Sequence, residues 1–81
     1  MHSINYQIER WQRQDWQKDT RYYSCTLCQN LFGEWLIVRR WGRVSALKGQ
    51  TLEQYCSSYD EGLRLLVEIE KRRIQRGYSA V

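Results

Sequence analysis

The chain has 81 residues, room for one domain around one core, so residues 1–81 are read as a single domain. Its formal net charge of +4 favours a polyanionic partner, although a small surplus of Lys and Arg is also an ordinary route to solubility. Composition excludes a membrane span, because no run approaches about 18 apolar residues, and three cysteines cannot all pair within one chain, which fits a reducing compartment. The start, Met1-His2-Ser3-Ile4-Asn5-Tyr6, lacks the positive and apolar segments of a secretory signal, and Glu9 and Asp15 argue against a transit peptide, so a cytoplasmic location is expected.

In chain order, Asn5 to Gln12 mix Tyr6, Ile8 and Trp11 with polar positions and predict a first strand, and Gln14 to Thr20 read as a polar loop. From Arg21 to Gln29, Tyr23, Cys25 and Leu27 alternate with Tyr22, Ser24, Thr26 and Cys28, as in a half-buried strand. Asn30-Leu31-Phe32-Gly33 is a tight connection. Glu34 to Val44 is the longest strand, apolar on both faces at its start, as expected of a central strand, and basic in its second half. Gly49 opens a shorter strand through Cys56. Ser58 with Glu61 forms a capping box, so a helix is predicted from about Tyr59. Its apolar stripe is Leu63, Leu66, Val67 and Ile74, widened by Leu65 and Ile69. Lys71, Arg72, Arg73 and Arg76 crowd the last turns, where the helix dipole favours cations, and Gly77 ends it. The class is α+β: a twisted antiparallel sheet of four to five strands with one C-terminal amphipathic helix packed on it.

Chemistry-bearing residues concentrate in the long strand. Trp35, Ile37, Arg39, Trp41 and Arg43 project from one face, and Leu36, Val38, Arg40 and Val44 from the other. Rings interleaved with guanidiniums suit a nucleic acid: a ring covers a base or sugar, cations hold phosphates, and Gly42 permits close approach. The same residues also fit a plainer reading, in which Trp35 and Trp41 are core and the arginines a solvated edge. The helix end, Lys71 to Arg76, likewise either answers the dipole or adds phosphate contacts.

Other chemistries find little support. Cys25 and Cys28 have the spacing of a zinc knuckle or redox pair, but three positions apart on a strand they face opposite ways, and Cys56 and His2 are poorly placed to complete a site. With His2 the only imidazole, a nucleophile has no partner base, and Asp60 with Glu61 and Glu68 with Glu70 do not face one another on a helix. No enzyme, metal, cofactor or small-molecule substrate is expected.

The run Phe32-Gly33-Glu34-Trp35, the tripeptide Trp41-Gly42-Arg43, then Gly49-Gln50, the amphipathic helix and Arg76-Gly77-Tyr78 resemble the WGR domain family, most of all its short stand-alone bacterial versions, from about Tyr6 to Tyr78. The resemblance implies a sheet with a helix packed across it and no catalytic activity. In DNA-dependent poly(ADP-ribose) polymerases a similar domain sits beside a DNA break, its tryptophan against the terminal sugar. Carried over, this makes Trp41 the stacking residue and Gly42 the close-approach residue, while the motif arginine, Arg43, also serves interdomain contacts in those enzymes. The implied interface is Trp41, Gly42, Arg43, Arg39, Arg40 and Lys48, binding nucleic acid, DNA ahead of RNA, at ends or backbone without sequence preference. The alternative is a protein partner docking in trans on the Trp41 and Arg43 surface. Here Val44 is followed by Ser45-Ala46-Leu47-Lys48 before Gly49, one residue longer than in many relatives, which implies a differently shaped loop beside the site.

Overall fold

In a computed structural model that describes residues 5–81, the alternation of Tyr23, Cys25 and Leu27 becomes the buried face of a strand at Arg21–Gln29, with Cys25 and Leu27 fully enclosed. In chain order the elements are a short 3-10 turn at Ile8–Arg10, β1 (Gln12–Lys18), β2 (Arg21–Gln29), β3 (Trp35–Arg43), β4 (Gln50–Tyr55), α1 (Tyr59–Gln75) and β5 (Ser79–Ala80). They form the expected α+β arrangement: one antiparallel sheet in the order β4-β3-β2-β1-β5, with α1 lying on β2 and β3.

Register fixes which side chains meet the helix. Tyr23 pairs with Trp41, Cys25 with Arg39 and Leu27 with Ile37, while Trp16 of β1 sits opposite Tyr23. These positions share one face, and Trp16, Tyr23, Cys25, Leu27 and Ile37 with Leu66 and Ile69 of the helix make the core, against which Trp41 packs. Burying each Leu or Ile there contributes about 1.5–3 kcal/mol.

The first strand differs from expectation. The predicted strand from Asn5 to Gln12 is absent up to Trp11, Ile8–Arg10 forming the 3-10 turn, and the strand occupies Gln12–Lys18, most of it where the polar loop from Gln14 was predicted. The physical reason is that β1 lies between β2 and β5, so ladder hydrogen bonds hold it, and Trp16, 2% exposed, anchors it to the core. Asp19, at φ 52, closes the β1–β2 hairpin. His2 lies outside the described residues.

Local chemistry sets the remaining joints. Asn30 turns the chain between β2 and β3: its Oδ1 accepts from the amides of Phe32 (2.9 Å) and Glu34 (3.0 Å), and Gly33 supplies a φ of 79°. At the helix start, Ser58 Oγ accepts from Glu61 N at 3.1 Å, as the capping box requires. The carboxylate of Glu61 reaches one residue further back than expected, to the amide and hydroxyl of Ser57. Those two hydrogen bonds, hydroxyl first, pull its carboxyl below the ordinary range.

The stripe the helix buries is Gly62, Leu66, Ile69 and Arg73; Val67 and Ile74, predicted to belong to it, are about half exposed at 48% and 60%. Gly62 explains the rotation. A Cβ there would stand 2.5 Å from Leu27 Cδ1, so the bare backbone is what lets α1 settle low on β2. No described helix is long and apolar enough to cross a membrane.

Candidate nucleic-acid interface

The low seat of α1 carries its last turns over the end of β2 and β3. Arg73 consequently points down at the sheet and is 8% exposed, its Cζ 4.1 Å from the ring centre of Tyr23 and 5.2 Å from that of Tyr78. Tyr78 arrives by a reversal of the chain: Gly77 takes φ 86, and the amide of Tyr78 donates to Arg73 O at 2.9 Å. Lys18 Nζ donates to Arg76 O at 2.7 Å, satisfying a carbonyl at the helix end.

On the sheet, Trp41 lies nearly parallel to Tyr23, with ring centres 5.8 Å apart and planes 14° from coplanar, and Tyr23 in turn meets Trp16 and Tyr78 edge to face. Trp41 is half-buried. It is therefore neither enclosed nor loose: one side of the indole is braced by Tyr23, and the residue lines an open cleft of about 440 Å³. The other residues around that cleft are Tyr22, Tyr23, Gly42 and Tyr78 with Arg21, Arg43, Arg73 and Arg76.

Among the described residues no carboxylate lines the cleft, and the ion pair found among them, Arg13 with Asp15, lies elsewhere. Four guanidiniums therefore share a concave, aromatic-walled site, and the carboxylate of Asp19, which lines an adjoining opening with Arg21 and Arg43, makes no ion pair with either. Nε of Arg73 is buried and has no acceptor in the described chain. A buried guanidinium is costly to desolvate, and the π faces of Tyr23 and Tyr78 supply only part of the offset.

The residues expected from sequence divide. Trp41, Gly42 and Arg43 meet at the cleft, as the strand pattern implies. Arg39 shares their sheet face but lines a separate groove of about 270 Å³ with Gln54, Leu65, Glu68, Ile69 and Arg72, where its Nη2 donates to Gln54 Oε1 at 2.7 Å. Arg40 projects from the sheet face opposite the helix, paired with Thr51. Lys48 is exposed in the loop between β3 and β4 and lines neither opening. Gly42 has an internal reason to be glycine: a Cβ there would meet Gly49 Cα at 3.1 Å and the Tyr22 ring at 3.3 Å, so the close approach it permits is made first by its own chain.

Sequence reasoning did not single out Arg21 or Tyr78 for the site, and placed Arg73 and Arg76 there only as part of a basic helix end. An i, i+4, i+7, i+11 stripe that reads Gly62, Leu66, Ile69, Arg73 was the available signal, since it puts an arginine where a core residue belongs.

Cys25 and Cys28 stand on opposite faces of β2. Burial pushes the Cys25 thiol up to about 11 against the lowering influence of Arg39 and Arg73, and burial likewise raises Cys28 and Cys56.

The model of the WGR domain family matches residues 6–81, and the chain belongs to that family, a nucleic-acid-binding type of module. The chain is also similar to an uncharacterized protein, y4dW, of Sinorhizobium fredii (strain NBRC 101917 / NGR234), with 33% identity over 58 residues, covering 72% of this chain and 28% of that protein. It thus spans little more than a quarter of that relative's length. No solved structure is a significant match.

Proposed function

We propose that this protein is a non-catalytic module that binds DNA ends or backbone without sequence preference, through the cleft between β2, β3 and the end of α1. In this reading Trp41 stacks on a terminal sugar or base, braced from behind by Tyr23, and Arg21, Arg43, Arg73 and Arg76 hold phosphates, with Tyr78 as the far wall. Arg39 lies next along β3 and extends the basic track, whereas Arg40 and Lys48 fall outside the cleft. The observation that carries the proposal is the convergence of four guanidiniums on a braced indole in a cleft lined by no carboxylate.

Phosphate contacts release counterions, so four of them give a slope of log K against log salt of about −3 to −4 on duplex. The test is a tryptophan-fluorescence titration with blunt, 5′-phosphorylated duplex and with closed circular DNA across a salt series. Tighter binding of the linear duplex, with a steep slope and a loss on Trp41→Ala of about 1–3 kcal/mol, is expected. Salt-insensitive binding, or equal affinity for both DNAs with Trp41→Ala indifferent, would sink it. Pull-down from native lysate with and without nuclease separates this reading from docking on another polypeptide: a partner that survives nuclease and depends on Trp41 favours the latter.

A further inference from the structure

The two edges of the sheet are unlike. β5 contributes two residues, Ser79–Ala80, too short to template another chain. β4 contributes six, Gln50–Tyr55, at the opposite edge, outside the main seat of α1 on β2 and β3, although Gln54 shares a groove with the helix. Exposed edges of this length ordinarily carry several charges, a proline or a bulge that blocks pairing, whereas β4 has a single charge, Glu53. β4 reads Gln-Thr-Leu-Glu-Gln-Tyr, and its register against β3 runs unbroken from Leu36 with Tyr55 to Trp41 with Gln50.

We propose that β4 is the seat of a two-fold dimer, in which it pairs antiparallel with β4 of a second copy of this chain and joins the two sheets into one. Side-chain chemistry selects a single register. For the helix-bearing faces of both copies to coincide, residues of like parity must face each other, which leaves two-fold axes through Thr51, Leu52 or Glu53. An axis at Glu53 sets two carboxylates directly opposite each other, a repulsive pair. An axis at Thr51 shortens the ladder and runs Glu53 against Gly49 in the loop. An axis at Leu52 pairs Gln50 to Gln54 of one copy with Gln54 to Gln50 of the other.

That register is complementary on both faces. On the helix side Leu52, 49% exposed, covers its equivalent in the second copy. On the other side Glu53 faces Thr51 of the second copy, whose neighbour on β3 is Arg40. Strands lie about 4.8 Å apart, so Glu53 and Arg40 of the second copy are separated by roughly 10 Å of backbone, a gap that two long side chains close over a short threonine. Symmetry makes this pairing twice. Both residues are exposed, and neither takes part in an ion pair among the described residues. The inference is independent of the Trp41 cleft, and it gives Arg40 a partner on the face where the structure puts it.

Sedimentation equilibrium over a concentration series tests the pairing. The mass is expected to rise from 9.9 kDa to twice that value. Glu53→Arg and Arg40→Glu should each raise the dissociation constant at least about tenfold, since each turns two attractions into repulsions. The double swap should return it to within about threefold of the starting value, which misfolding could not do. Leu52→Lys, which sets two ammonium groups face to face on an exposed site, should leave a folded monomer. A monomer at every concentration up to about 1 mM, or a dimer indifferent to Leu52→Lys and to both charge reversals, overturns the proposal.

Discussion

Replacing Arg73 with Met separates what that residue does for the fold from what it does for a ligand. The stem of Met fills the space between α1 and Tyr23, so packing is largely kept. The loss is a desolvated cation–π contact at 4.1 Å, worth about 1–2 kcal/mol, with a smaller share from Tyr78 at 5.2 Å. Against it stands the removal of a buried Nε that has no acceptor in the described chain, which relieves about 1–3 kcal/mol. These oppose one another, so urea denaturation should place Arg73→Met within about 1 kcal/mol of the parent, in either direction. Under the proposed function binding behaves differently: losing one phosphate contact should lower affinity and flatten the salt slope by about 0.9 on duplex. Titrations of both proteins at matched salt concentrations measure this. A variant destabilised by more than about 3 kcal/mol whose folded fraction still binds with an unchanged slope would show Arg73 to be a strut beneath Tyr23, and the phosphate role would be refuted.

Other substitutions probe the frame. Gly49→Ala drives a methyl into the Tyr22 hydroxyl and to 2.7 Å from Trp41 O, so it should cost about 1–3 kcal/mol in urea and loosen the cleft, with Gly42→Ala milder. Ser58→Ala removes the helix cap and should cost about 1 kcal/mol by thermal melt. Because Ser57 holds the Glu61 carboxyl below its ordinary range, its contribution is full above the unfolded carboxylate pKa and disappears as pH falls through the lowered folded value; the stability curves of the parent and Glu61→Gln should therefore converge in acid. For the thiols the sign reverses. With Cys25 raised to about 11, stability is kept below the unfolded thiol pKa and lost as pH climbs through the folded one, and iodoacetamide at pH 8 should label Cys25 only after denaturant is added, as read by mass spectrometry.

Much of the frame was legible because it rests on local rules. Alternation at Tyr23, Cys25 and Leu27 marked β2, and Ser58 with Glu61 marked the helix start. β1 was hidden because Gln-Arg-Gln-Asp-Trp-Gln-Lys has one apolar anchor and owes its conformation to neighbours on both sides, which no local pattern records. The helix face was misjudged for a related reason: Gly62 rotates α1 toward Leu27, and that depends on a contact between residues 35 apart in sequence. A third of the cleft followed from one strand, where Trp41, Gly42 and Arg43 are neighbours by spacing. Arg21, Arg73 and Tyr78 join it through β2, α1 and the turn before β5, and Arg39, Arg40 and Lys48 scatter because a neighbouring groove, parity and a loop, in that order, send them elsewhere.

The far wall of the cleft hangs from a slender hinge. Tyr78 is placed by Gly77 and by a two-residue strand whose hold on β1 includes Val81 N donating to Asp15 O at 3.0 Å. So short a ladder opens far more readily than the core beneath it. Were it to peel away, the basin would lose a side, so under the proposed function fraying and ligand retention are two readings of one equilibrium. Slowed amide exchange at Tyr78 and Val81 in the presence of DNA is its signature.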